Sequence, residues 1–235
     1  MNAPASPSPT AYGLDRPELA GLLRRLHAEA RGDVWRFLRA GPAMAAAWAR
    51  GGGDAAFKAL EPHLADAYIP VSRDAGRFLY LVARAIGARH VVEFGTSFGI
   101  STLYLAAAVR DNGGGRVVGT EMQPAKHAKA SAHLREAGLG DVAEARLGDA
   151  LETLRRDLPS PVDLVLLDGW KDLYTPVLDL LRPSLRPGAV VLADNVRTFK
   201  KTLAPFVARM RSGEIGFRSV TVPFSSGLEL GVRVG

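Results

Sequence analysis

The sequence predicts an α/β protein built on a doubly wound sheet of seven strands, five of them parallel and the last two an antiparallel hairpin. Three observations predict it. After Gly87, short β-branched runs alternate with helical segments, which is the pattern of βαβ units and a parallel sheet. The chain closes on two strand-like runs joined only by Ser225 and Ser226, a link that permits nothing but an antiparallel pair. Each of the five parallel runs ends in an acidic residue, at the edge where doubly wound sheets bind ligands.

Composition bounds the remaining possibilities. At 235 residues and 47% hydrophobic, the chain can bury a substantial core. No apolar run approaches the roughly 18 residues of a transmembrane helix. The N-terminal MNAPASPSPT has neither the basic nor the apolar region of a signal peptide, so a cytoplasmic protein without membrane contact is expected. With no cysteine, disulfides, Cys-ligated zinc, iron–sulfur clusters and a thiol nucleophile are excluded. The formal charge of +6 sits at the two ends, because residues 61–196 carry 15 Lys/Arg against 17 Asp/Glu. No run of five like charges and no interleaving of aromatic with basic residues accompanies it, so no nucleic-acid partner is expected.

Element by element, residues 1–13 are rich in Ala, Pro and Ser and read as a disordered tail. Residues 14–68 form a helical extension. Leu19, Leu22, Leu23 and Leu26 keep helical spacing, Val34, Phe37 and Leu38 resume it, and Gly32, Gly41-Pro42 and Gly51–Gly53 divide it into short helices. Its apolar stripes need a cover, either the main domain or the second subunit of a homodimer. The main domain, 69–235, begins with a helix over Arg73–Ile86, with Ser72 as N-cap. Strands are expected at 90–95, 116–121, 142–149, 162–168 and 188–195. Helices are expected over Ile100–Arg110, Pro124–Ala137, Ala150–Asp157, Asp172–Leu181 and Phe199–Arg211, and the hairpin over 217–224 and 227–234.

The strand-end acids are Glu93, Glu121, Asp149, Asp168 and Asp194. Any one alone could be a helix N-cap; five together outline a crevice for a ligand with cationic and hydroxyl groups, or for a metal. The first strand runs into Gly95-Thr-Ser-Phe-Gly99, where Gly95 allows close approach to a ligand and Gly99 tight helix–strand contact. This is neither the dinucleotide G-x-G-x-x-G nor a P-loop. Glu121 can accept hydrogen bonds from both hydroxyls of a ribose. LLDGWKDLY (166–174) and LADNV (192–196) bring Asp168, Asp194 and Asn195 to the ends of the fourth and fifth strands. Two carboxylates and an amide are hard oxygen ligands suited to Mg²⁺ or another divalent cation. Asp194 and Asn195 can converge only if the chain is already turning there. Lys171, three residues after Asp168, can reach the same site as a general base, the alternative being a solvated surface lysine. Trp170 is either core packing or a wall against the ligand.

From about Ile69 to Gly235 the chain resembles the class I S-adenosylmethionine-dependent O-methyltransferases, and among them the Mg²⁺-dependent catechol O-methyltransferases. LLDGWKDLY and LADNV carry the metal and base resemblance; EFGTSFGIS (93–101) and TEMQP (120–124) carry the cofactor resemblance. The resemblance implies a Rossmann-like sheet with its last strand antiparallel. By position, Glu93, Gly95, Ser97 and Ser101 would line the methionine moiety of the cofactor, with Val71 flanking it. Glu121 would hold the ribose, and Asp149 and Ala150 would lie beside the adenine. Thr96, Met122, Asp168 and Trp170 complete the cofactor's implied surroundings. Asp168, Asp194 and Asn195 would bind Mg²⁺, and Lys171 would take the proton from the hydroxyl of a small-molecule acceptor, an aromatic vicinal diol. The chain departs from the family in having Ser97 for an aromatic residue and Gly169 for a histidine. It also has no counterpart, in Pro223–Gly227, of the family's substrate-side acid. Three other readings stand: a metal-independent or non-catechol methyltransferase, a nicotinamide-dependent oxidoreductase, and a nucleic-acid-binding module.

Overall fold

Parallel strands covered on both faces are buried at nearly every position, and His90–Phe94 (β1), Arg116–Glu121 (β2) and Val162–Leu167 (β4) are so buried in the computed structural model. The structure describes residues 13–32, 46, 49, 71–224 and 226–235. The expected disordered tail before Gly13, the helices expected between residues 33 and 60, and the domain boundary at 68/69 lie outside the described residues.

Three further strands complete the set that precedes the hairpin's last member: Ala143–Leu147 (β3), Leu185–Ala193 (β5) and Phe217–Val222 (β6). Leu228–Arg233 (β7) runs antiparallel to both β5 and β6. The spatial order is β3-β2-β1-β4-β5-β7-β6. The chain steps outward from β1 to β3, then returns to lay β4 against the other side of β1. That reversal leaves a gap between the carboxyl ends of β1 and β4, the place where sheets of this type take ligands.

Adjacent residues of each strand feed opposite cores. Val91, Val117, Leu164 and Val190 face one, with helices α1 (Pro17–Gly32), α2 (Arg73–Ala85), α3 (Ile100–Asp111) and α4 (Pro124–Glu136). Val92, Val118, Val165 and Val191 face the other, with α5 (Ala150–Thr153), α6 (Tyr174–Leu181) and α7 (Lys200–Ser212). Leu19, Leu22, Leu23 and Leu26 of α1 are buried in the first core, so this stripe is covered within the chain. A two-pronged Arg25–Glu136 contact, 2.8 Å at each prong, ties α1 to α4. The Ser72 side chain caps α2 by accepting from Ala75 N. Among the described residues no helix is long and apolar enough to cross a membrane.

Most element ends fall within one or two residues of expectation, and three of the differences have a local setting. Helix α5 stops at Thr153 instead of Asp157, because the Arg146 guanidinium takes the carbonyls of Thr153, Arg156 and Asp157 and Asp157 turns to φ +46°. Helix α6 starts at Tyr174, after a short 3₁₀ turn over Lys171–Leu173. Strand β5 begins three residues early, at Leu185.

Candidate active site

The exit of β1 is shaped by backbone constraints. Gly95 has φ +96°, and a Cβ there would stand 2.6 Å from Gly169 N, so glycine is needed because the exit of β4 passes against it, whatever ligand binds. Gly99 begins α3 with φ +83°, and its missing Cβ admits Ala130 of α4, not a strand as expected. Gly119, which the sequence did not single out, leaves space for the Thr96 hydroxyl, 2.1 Å from where its Cβ would be. A glycine inside a strand was the available signal.

Between these turns and the ends of β4 and β5 lies a crevice of about 440 Å³. Gly95, Ser97, Glu121, Met122, Asp149 and Ala150 line one half; Asp168, Trp170, Lys171 and Asn195 line the other. Trp170 is 43% exposed, a wall of the crevice and not a core residue. Val71, Glu93, Thr96, Ser101 and Asp194 are not part of the lining. Glu93 is fully buried beneath it, accepting from the hydroxyls of Thr96 (3.0 Å) and Thr102. Thr96 and Ser101 are buried beside it and Val71 belongs to the first core. Burial raises the Glu93 pKa, partly offset by hydrogen bonds from Ser101, Thr102 and Thr96. The five acids therefore do different work. Asp149 caps α5, accepting from Leu151 N at 2.8 Å, while also reaching the crevice.

In the first half, Glu121 is held by two backbone amides: Ser97 N donates to one oxygen (2.7 Å) and Gln123 N to the other (2.8 Å). A carboxylate so held keeps lone pairs for further donors. The Ser97 hydroxyl, on a residue at φ +49°, is buried without a partner among the described residues. Buried polar groups are ordinarily satisfied, so a ligand that donates to Glu121 and meets Ser97 fits this half.

The second half is a network of side chains. Lys171 Nζ donates to the Tyr174 hydroxyl (2.9 Å) and lies 3.6 Å from Asp168 Oδ1; its side chain is 8% exposed, so it is no solvated surface lysine. Tyr174, wholly buried and edge-on to Phe94 and Phe206, donates to the Asp194 carbonyl (3.1 Å). The sequence does not reveal this link between Lys171 and Asp194, because the carbonyl to which the hydroxyl donates is 20 residues away. Burial pushes the Lys171 pKa down against the pull of Asp168 and Asp194. Burial also raises Asp168, to about 8, with Lys171 opposing and Asp194 and Glu93 adding to the rise. Asn195 adopts φ +67°, and this left-handed residue supplies the turn that the pair Asp194-Asn195 required. Strands β4 and β5 pair directly, Leu167 beside Ala193, so Asp168 and Asp194 leave adjacent strands. Among the described residues no cluster of three or more His, Cys, Asp or Glu could hold a metal. The donor set here is two carboxylates and an amide oxygen, which suits a hard divalent cation that keeps some of its own water.

A methyltransferase-domain family profile matches residues 92–196, from the middle of β1 to the residue after Asn195. A Mycolicibacterium smegmatis protein assigned as an O-methyltransferase is 31% identical over 172 residues, covering 67% of this chain and 80% of that protein. The chain belongs to the class I S-adenosylmethionine-dependent O-methyltransferases. The catechol O-methyltransferase of Mycobacterium tuberculosis is 43% identical over 129 residues. That match covers 54% of this chain and 57% of the relative, so it spans little more than half the length of either chain. The O-methyltransferase TomG of Streptomyces achromogenes, solved with S-adenosylmethionine, superposes with a TM-score of 0.64 at 28% identity, over 71% of this chain and 82% of TomG.

Proposed function

We propose that this chain transfers the methyl group of S-adenosylmethionine to a hydroxyl of a small aromatic vicinal diol, assisted by a divalent cation such as Mg²⁺. The observation that supports this most directly is a buried lysine amine 3.6 Å from Asp168, in a crevice shared with Asn195 on one side and Glu121 on the other. Glu121, fastened by Ser97 and Gln123, would accept from the ribose hydroxyls, with Asp149 and Ala150 beside the adenine. Ser97 would meet the amino-acid end. Asp168, Asp194 and Asn195 would hold the cation, which when bound supplies Lewis-acid charge beside the diol oxygens. Lys171 Nζ, oriented by Tyr174, would take the proton of the attacking hydroxyl. The O–CH₃ bond forms as the S–CH₃ bond breaks, leaving S-adenosylhomocysteine. Little covalent help is needed, so much of the acceleration would come from holding the two reactants in line.

The test is incubation with S-adenosylmethionine, catechol and Mg²⁺, read by mass spectrometry. A monomethylated catechol that disappears with EDTA and returns with Mg²⁺ is the expected result. Methylation undiminished by EDTA would favour a metal-independent reaction, and methylation of other hydroxyls but no diol would replace the acceptor class.

A further inference from the structure

The turn between β6 and β7 carries a side chain, that of Ser226, into the network. Ser226 Oγ lies 2.8 Å from Asp194 Oδ1 and 2.8 Å from Asn195 Nδ2. Backbone bonds clamp this turn to the segment after β5: Val196 N donates to Gly227 O and Arg197 N to Ser226 O, both at 3.0 Å. Gly227, at φ +85°, lets the Arg197 side chain pass where a Cβ would collide with it.

A hydroxyl has one proton, and a carboxylate can only accept. Ser226 must therefore give its proton to Asp194 and can only accept from Asn195. The group of Asn195 facing Ser226 must then be its NH₂, which leaves the amide carbonyl oxygen as the end free to face elsewhere. Asn195 lines the crevice. An amide in the opposite flip would present a donor there, which repels a cation.

We propose that Ser226 is a positioning residue that sets the flip of the Asn195 amide and steadies Asp194, and thereby tunes the affinity of this site for a divalent cation. The proposal deepens the metal-assisted reading above and rests on it. Groups that orient metal ligands in this way typically change affinity by about 10- to 100-fold when removed.

The experiment titrates Mn²⁺ into the full chain without substrate, following free Mn²⁺ by electron paramagnetic resonance. Affinity for S-adenosylhomocysteine and the melting temperature are measured alongside. Ser226→Ala should weaken Mn²⁺ binding by roughly 10- to 100-fold while S-adenosylhomocysteine affinity is retained. Ser226→Thr, which keeps the hydroxyl, should recover most of the loss. Ser226→Gly makes the same deletion should Ser226→Ala fail to fold. Unchanged Mn²⁺ affinity in a folded deletion variant overturns the positioning role alone. A wild-type chain that binds no Mn²⁺ overturns the metal reading and this proposal together.

Discussion

Glu93 on β1 and Glu229 on β7 lie in one sheet, both almost wholly excluded from water, and their ionisation shifts in opposite directions. Burial alone would raise both. Around Glu229 the hydrogen bonds from Arg211, Thr221 and Ser219 more than reverse it, and both its oxygens are bonded, including a two-pronged contact with Arg211 at 2.8 Å. Around Glu93 only hydroxyls donate, one oxygen has no partner among the described residues, and the pKa stays raised. The β6–β7 edge is thus electrostatically satisfied, whereas beneath the crevice a carboxyl is left unsatisfied and, above it, a lysine has its pKa lowered. Perturbed groups of this kind concentrate at functional sites.

The contrast is tested most strongly at Lys171. If the crevice floor is reserved for chemistry, Lys171→Ala should lower turnover by roughly 10²–10⁴-fold, the usual contribution of a positioned base. Affinity for S-adenosylhomocysteine should stay near wild type. Turnover within a few-fold of wild type would remove Lys171 as the base.

How much of this was legible depended on sequence distance. The strands were readable because burial on both faces writes itself as runs such as VDLVLL. Lys171 was readable because it and Asp168 sit three residues apart on one short turn. The Ser226–Asp194–Asn195 relay was not, since it joins residues 31 and 32 positions apart that meet only once β5 pairs with β7. Gly119 was hidden for the same reason: the Thr96 side chain it admits arrives from β1 through strand register. The inward aim of Glu93 was missed because its position near a strand end suggested the open edge, while its side chain is engaged by Thr96 and Thr102 below.

At the edge the expected effect is on stability. Glu229→Gln removes the charge from the Arg211 contact. Arg211 is about half exposed, which weakens the pair, so a loss of about 1–2 kcal/mol is expected. That corresponds to a fall in Tm of roughly 2–8 °C, with turnover per folded molecule unchanged. Because the folded pKa is lowered, the wild-type contribution is complete above the ordinary value of 4.5 and is lost as pH falls through the folded pKa. The variant should lack that part of the acid-side decline. An identical decline in both proteins would show that Glu229 does not ionise differently in the fold.

Glu93 carries the opposite sign and the smallest effect. A carboxyl whose folded pKa is raised binds its proton more tightly when folded, so folding is favoured most at low pH. That advantage is lost as pH rises from the ordinary value of 4.5 through the folded pKa. Glu93→Gln, which never ionises, should therefore match wild type more closely near pH 4 and gain on it towards pH 8. A relative gain of about 1 kcal/mol is expected, the scale of relieving one poorly satisfied buried group. Urea unfolding of both proteins at the two pH values measures it. A difference that does not change with pH would mean that the folded Glu93 ionises as it does in the unfolded chain, and the distinction between floor and edge would have to rest on Lys171 alone.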